Sequence, residues 1–158
     1  KDANKPISDL RGGRIHDTLR TYTYLYPNDE RPNVYSDPSQ AADQAAFEVS
    51  RGFDAVKFDP AGPYTAFDGH MPSLEDISRS VAITGAIREA VGDRADLLFG
   101  THGQFTAAGA IRLARQLEQF DPLWFEEPTV ADAPEEMARV ALLYTSAAAD
   151  DILCLDLC

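Results

Sequence analysis

Residues 96–128 read DLLFGTHGQFTAAGAIRLARQLEQFDPLWFEEP, and this stretch holds two apolar runs separated by a helical pattern. The runs at 97–99 and 123–125 are apolar without alternation, which is typical of parallel strands buried on both faces. The residues between them include one apolar stripe at helical spacing: Ala107, Ala110, Ile111, Ala114 and Leu117. The stretch therefore predicts a strand, a helix and a second strand.

The same alternation continues on both sides of this stretch. The predicted strands are 18–26, 55–58, 96–99 and 123–125, and the predicted helices follow the capping residues Asp37, Ser73, Thr106 and Asp132. Such alternation predicts an α/β fold with a parallel sheet. The strand spacing alone fits either a (β/α)8 barrel or an open flavodoxin-like sheet. The sequence has no G-x-G-x-x-G pattern after its first strand and no G-x-x-x-x-G-K-[ST] pattern. Their absence argues against the common dinucleotide-binding and nucleotide-binding folds.

The composition excludes several classes of partner. Asp plus Glu number 26 against 14 Lys plus Arg, and a net charge of -12 argues against binding to nucleic acid or to an anionic membrane. No apolar run approaches the ~18 residues of a membrane helix. The two cysteines, Cys154 and Cys158, form neither a disulfide framework nor a four-ligand zinc site, so we expect a cytoplasmic protein.

Chemically versatile side chains follow three of the predicted strands. In parallel α/β folds ligands bind at the carboxyl ends of the strands, so Lys57, Asp59, His102 and Glu126 are expected at one rim. Lys57 could accept a proton or hold a carboxylate, His102 could act as a general acid, and Glu126 could bind a hard cation such as Mg²⁺. Simpler interpretations remain open: a strand-end ion pair of Lys57 with Asp59, and a turn histidine at 102.

The motif Trp124-Phe125-Glu126-Glu127-Pro128-Thr129 resembles the strand-four signature of the enolase superfamily, in its mandelate racemase/muconate lactonizing enzyme branch. Residues 4–13 resemble the segment by which such proteins leave their capping domain, and residues 52–57 resemble the approach to their second strand. His102, two positions after the usual strand-three ligand, is similar to the histidine of D-galactonate dehydratase-like acid-sugar dehydratases.

The resemblance implies a fold, a reaction and a division of the chain. The chain would hold about four βα units of a (β/α)8 TIM barrel: residues 1–17 leave the capping domain, 18–140 form the first half of the barrel, and 141–158 are an atypical tail. The reaction would remove the proton α to the carboxylate of a sugar acid and eliminate water, with Mg²⁺ stabilising the enediolate. The parent protein would be a homo-oligomer, and this chain alone would be inactive.

The resemblance implies roles for particular residues of this chain, and the chain also differs from the family pattern at particular positions. Glu126 matches the metal-ligand Glu of strand four, His102 the general acid, and Lys57 the first lysine of a Lys-x-Lys pair, with Asp59 expected to orient Lys57. The usual strand-three Asp is Gly100 here, the second lysine is Asp59, and no strand-five Thr-Gly-Glu pattern occurs. Alternatives that stay open are a non-catalytic half-barrel or pseudoenzyme, a cycloisomerase or racemase, and a barrel enzyme that uses Lys57 as a Schiff-base amine.

Overall fold

The computed structural model of the chain describes residues 4–61, 65 and 67–143. These described residues form nine α-helices and strands, in chain order α1 Ile7–Leu10, β1 Thr23–Tyr24, α2 Pro38–Ser50, β2 Ala55–Phe58, α3 Leu74–Val91, β3 Asp96–Gly100, α4 Ala107–Leu117, β4 Trp124–Glu126 and α5 Pro134–Leu143. Short 3-10 turns extend α3 and α4. Of the predicted tail 141–158, residues 144–158 lie outside the described residues.

The four strands form one parallel sheet in the order β1-β2-β3-β4. Each strand pairs with the next one in the chain, with Tyr24 opposite Lys57, Lys57 opposite Leu98, and Leu98 opposite Trp124. An open flavodoxin-like sheet has the order 2-1-3-4-5, so the sequential order favours the barrel. The predicted α/β fold, with about four βα units of a TIM barrel, is therefore confirmed.

The two faces of the sheet differ because side chains alternate along each strand. One face joins the helices in the hydrophobic core, and its buried side chains are Leu25, Val56, Phe58, Leu97, Phe99 and Phe125. The helices contribute the buried stripes of α2, α3 and α4 to the same core. The other face, which we call the inner face, carries Tyr22, Tyr24, Lys57, Leu98, Gly100, Trp124 and Glu126.

Local capping explains where the main helices begin. Asp37 accepts hydrogen bonds from the backbone N–H groups of Ser39 and Gln40 at the start of α2. At the start of α3, Ser73 and Asp76 form a reciprocal capping box. Each cap was predicted from the sequence, and so was Thr106 at α4. In the part of the chain that the structure describes, none of the helices is long and apolar enough to cross a membrane.

Removal of the α3 cap should destabilise the fold measurably. We expect Ser73→Ala to lower the free energy of unfolding by about 1 kcal/mol, because the Asp76 N–H loses its acceptor. Ser78→Ala is the matched control, since Ser78 is also exposed but lies inside α3 and bonds only the Leu74 carbonyl. Urea unfolding followed by circular dichroism measures both changes. Equal losses in the two variants would contradict the capping explanation.

Candidate active site at the carboxyl end of the sheet

An ion pair between β2 and β4 dominates the inner face. Nζ of Lys57 lies 2.5 Å from Oε1 of Glu126, and Lys57 is only 7 % exposed. The ammonium also lies 5.5 Å from the ring centroid of Tyr22 and 6.0 Å from that of Tyr24. Aromatic faces attract a desolvated cation, so these rings add to the attraction of the carboxylate. Lys57 is thus a buried ammonium with one anionic partner and two aromatic neighbours.

Gly100 on β3 leaves the space through which the Lys57 side chain passes. A Cβ placed on Gly100 would lie 2.5 Å from Cε of Lys57 and 3.3 Å from its Nζ. The first distance is far below the separation of non-bonded carbon atoms. Any side chain at position 100 would therefore displace the lysine from its present position.

Asp59 follows β2 and is almost completely buried, with 1 % of its surface exposed. One carboxylate oxygen accepts the backbone N–H of Ala61 at 2.9 Å, and the other accepts Nε2 of Gln104 at 2.9 Å. Burial disfavours the charged form and raises the pKa of Asp59 to about 7, although both hydrogen bonds act in the opposite direction. Asp59 can therefore hold a proton near neutral pH.

His102 lies at the turn that follows β3. Its Nδ1 is 3.9 Å from Oδ2 of Asp59, and 32 % of its side chain is exposed. Its backbone has φ 53°, and Glu127 in the turn after β4 has φ 46°. This left-handed region is uncommon for residues other than glycine and is enriched at functional sites. The imidazole therefore stands between the buried carboxyl group and the open side of the rim.

Backbone hydrogen bonds hold these two turns against each other. The Thr101 N–H donates to the Glu126 carbonyl at 3.1 Å, and the Gly103 N–H donates to the Glu127 carbonyl at 2.7 Å. The Thr101 hydroxyl is within 3.0 Å of both carbonyl oxygens. The loop before α3 joins them, because the Phe67 N–H donates to the His102 carbonyl at 2.9 Å. The rim is consequently a continuation of the sheet rather than a set of separate loops.

The structure brings the predicted site residues together as two neighbouring pairs. Lys57 pairs with Glu126, and Asp59 lies beside His102. This corrects the expected partner of Lys57: among the described residues its ion pair is with Glu126, not with Asp59. The proposed catalytic roles of the four residues stay predictions.

Two contributors were missed by the sequence reasoning. Gln104 is 2 % exposed and donates to Asp59, and Tyr22 faces the Lys57 ammonium. Gln104 could have been found as a polar residue two positions after His102 in the same rim segment. Tyr22 and Tyr24 could have been found from their two-residue spacing on the first strand, which puts both rings on one face.

The described residues do not by themselves fit a divalent metal site. Glu126 supplies one carboxylate, already paired with an ammonium, and Gly100 has no side-chain donor atom. Asp59 is buried and hydrogen-bonded elsewhere. Within residues 4–61, 65 and 67–143, no group of three or more His, Cys, Asp or Glu side chains could hold a metal ion. Mg²⁺ takes near-octahedral oxygen coordination, which one paired carboxylate does not provide.

Comparison with known proteins identifies relatives of the chain. The family model described as enolase C-terminal domain-like matches residues 40–154, beyond the boundary at 140 drawn from the sequence. A D-gluconate dehydratase from Thermoproteus tenax is 34% identical over 128 residues, which are 81% of this chain and 24% of the relative. A D-xylonate dehydratase from Haloferax volcanii is 37% identical over 127 residues, which are 78% of this chain and 30% of the relative.

A solved structure agrees with the fold. The mandelate racemase/muconate lactonizing enzyme from Sulfitobacter sp. is similar with a TM-score of 0.84 and 54% identity, over 90% of this chain and 36% of that one. The chain thus spans about a quarter to a third of the length of the curated relatives that it matches. The activities given in these names are those of the relatives.

The buried carboxyl group of Asp59 should make stability depend on pH. From about pH 4 to about pH 7 the folded protein keeps a proton that the unfolded chain has lost, so stability should fall as pH rises and level off above 7. A shift of about three pKa units corresponds to about 4 kcal/mol. Urea unfolding across this range measures the slope. Asp59→Asn should reduce the slope, whereas Asp43→Asn, at an exposed position of α2, should not. An unchanged slope in Asp59→Asn would contradict the assignment.

Proposed function

This chain belongs to the enolase C-terminal domain-like family, and from that membership we propose that the whole protein is an acid-sugar dehydratase. It would remove the proton at C2, α to the carboxylate, and expel the hydroxyl at C3 as water. The resulting enol then becomes a 2-keto acid. The names of the curated relatives, D-gluconate and D-xylonate dehydratase, support this reaction and a small sugar acid as substrate.

The observation that carries the proposal is the position of His102. The imidazole is partly exposed at the rim and 3.9 Å from a buried carboxyl group that can hold a proton near neutral pH. A general acid needs both access to the leaving group and a proton to give. We assign His102 the protonation of the departing hydroxyl, and Asp59 the orientation of the imidazole. Gln104 fixes Asp59 in turn.

Lys57 is better suited to holding charge than to accepting a proton. Its nitrogen is engaged as an ammonium with Glu126, and a base needs a free lone pair. The sequence left open whether Lys57 binds the substrate carboxylate or acts as the base, and its ion pair argues against the role of base. We assign the base to none of the described residues. A Schiff-base role is disfavoured for the same reason.

In this proposal the whole protein requires a metal ion. Members of the enolase superfamily are generally metal-dependent, and Mg²⁺ is the ion that the resemblance predicts. It would supply stabilisation of the enediolate when bound. Because the described donors do not fit such a site, no step here is routed through it. A cytoplasmic location and a homo-oligomeric parent also stay predictions.

A racemase or cycloisomerase is the second candidate, because the similar Sulfitobacter structure carries those names. A racemase would remove the proton at C2 and return it to the opposite face of the same carbon. A cycloisomerase would pass through an enolate formed by intramolecular addition of a carboxylate to a double bond, and protonation would follow. Neither reaction releases water. The position of His102 favours dehydration, since a general acid at the rim serves a leaving hydroxyl. Deuterium exchange at C2 without formation of a 2-keto acid would favour the second candidate.

The proposed role of His102 can be tested by separating proton removal from water loss. We expect wild-type protein to convert one of D-gluconate, D-galactonate or D-xylonate to its 2-keto-3-deoxy acid, detected as the semicarbazone. His102→Asn, which tolerates the left-handed backbone, should lower kcat by about 10² or more but keep deuterium exchange at C2.

His16→Asn is the matched control, because His16 is exposed in the segment before β1. It should leave both readouts unchanged. If His102→Asn dehydrated the substrate at the wild-type rate, the role of His102 as general acid would be refuted. If no sugar acid in the panel reacted or exchanged, the dehydratase proposal itself would fail.

A further inference from the structure

We propose that the Lys57 ammonium is the resident cation of Glu126 and keeps divalent metal ions from this carboxylate. Gly100 is the residue that makes this possible. The proposal departs from the role that the resemblance implies for Glu126, that of a metal ligand. It stands on the geometry of three strands and does not rest on the proposed dehydratase activity.

The Lys57 side chain crosses a neighbouring strand to reach its partner. Lys57 is on β2 and Glu126 is on β4, and β3 lies between them. Neighbouring strands are ~4.8 Å apart, so the two backbones are separated by about 10 Å. Lys57 pairs with Leu98, whereas Glu126 pairs with Gly100, two residues further along β3. The side chain must therefore run diagonally over β3 to reach the carboxylate.

Gly100 stands where this path crosses β3. The nearest atoms to a Cβ at that position would be Cε, Nζ and Cδ of Lys57, the first at 2.5 Å. The space that a side chain at position 100 would fill is thus filled by the lysine itself. The resemblance implies an Asp at this position. Glycine here supplies no carboxylate and leaves the path open for an ammonium.

Separation of Lys57 from Glu126 would cost free energy. Lys57 is 7 % exposed, and the carboxyl group that follows its strand, Asp59, is held by Ala61 and Gln104. A divalent ion at Glu126 would leave a buried ammonium without its anion, which is strongly destabilising. The incoming ion would also have to shed water for a single carboxylate, which Mg²⁺ does reluctantly. The ammonium therefore keeps the carboxylate.

Metal binding measured on variants tests the proposal with Mn²⁺ as the probe. The single variant Glu126→Gln should have the same Mn²⁺ dissociation constant as the wild-type protein, because Glu126 is not a ligand. Lys57→Met keeps most of the apolar stem and removes the ammonium, so it should tighten Mn²⁺ binding by about tenfold, or 1.4 kcal/mol. The gain should disappear in the double variant Lys57→Met/Glu126→Gln. Lys5→Met, the same change at an exposed position, should show no gain.

Two results would overturn the proposal. One is weaker Mn²⁺ binding in Glu126→Gln than in wild type, which would make Glu126 a metal ligand. The other is a folded Lys57→Met protein that binds Mn²⁺ no more tightly than wild type. If Lys57→Met does not fold, Gly100→Ala takes its place, because its methyl group would displace Cε of Lys57. None of these readouts uses turnover, so a negative dehydratase assay and a negative result here are separate outcomes.

Discussion

The register of the parallel sheet is the constraint on which the rest of the structure depends. Pairing of Val56 with Leu97 and of Phe99 with Phe125 places one set of side chains under the helices. The alternate residues then all face the other way. A slip of one residue in any pair would exchange core side chains for charged ones. The position of every site residue on β2, β3 and β4 follows from this register.

A buried ammonium needs its partner at a fixed place, and the sheet provides that place. The Lys57 ammonium lies 5.5 and 6.0 Å from two aromatic ring centroids and reaches Glu126 over Gly100. The pair is buried on the lysine side only, because the Glu126 side chain is 38 % exposed. Loss of the carboxylate would still leave the ammonium in a poorly solvated site, which costs more than a surface pair contributes. The Lys57–Glu126 pair therefore links β2 to β4 as well as balancing charge at the rim.

The sequence predicted the fold well, because the signals for it are local. The caps at Asp37, Ser73 and Thr106 and the strand at 55–58 lie where they were expected. The first strand was expected over 18–26, but its ladder with β2 covers only Thr23–Tyr24, and the Leu25 N–H extends the contact by donating to the Lys57 carbonyl.

The contacts within the site were harder to predict than the residues that form it. Alternation predicts Lys57 and Asp59 on one face, yet it could not show that Lys57 would cross a strand to pair with Glu126. That choice depends on an absent side chain at Gly100 and on the burial of Asp59, which are tertiary properties. Glycine at 100 was recognised as a missing ligand, whereas its effect on a neighbouring strand becomes visible only in three dimensions.

The charge of the rim differs from the charge of the whole chain, and this difference is also a tertiary property. The chain carries a net charge of -12, which would repel an anion such as a sugar acid. At the rim, however, Glu126 is neutralised by Lys57, and burial raises the pKa of Asp59 to about 7, so this group holds a proton through most of the acidic range. The two inward carboxyl groups thus add little net negative charge where a substrate carboxylate would approach. An acidic protein can in this way present a nearly neutral inner face, through an ion pair that joins β2 to β4 and a buried acid that follows β2.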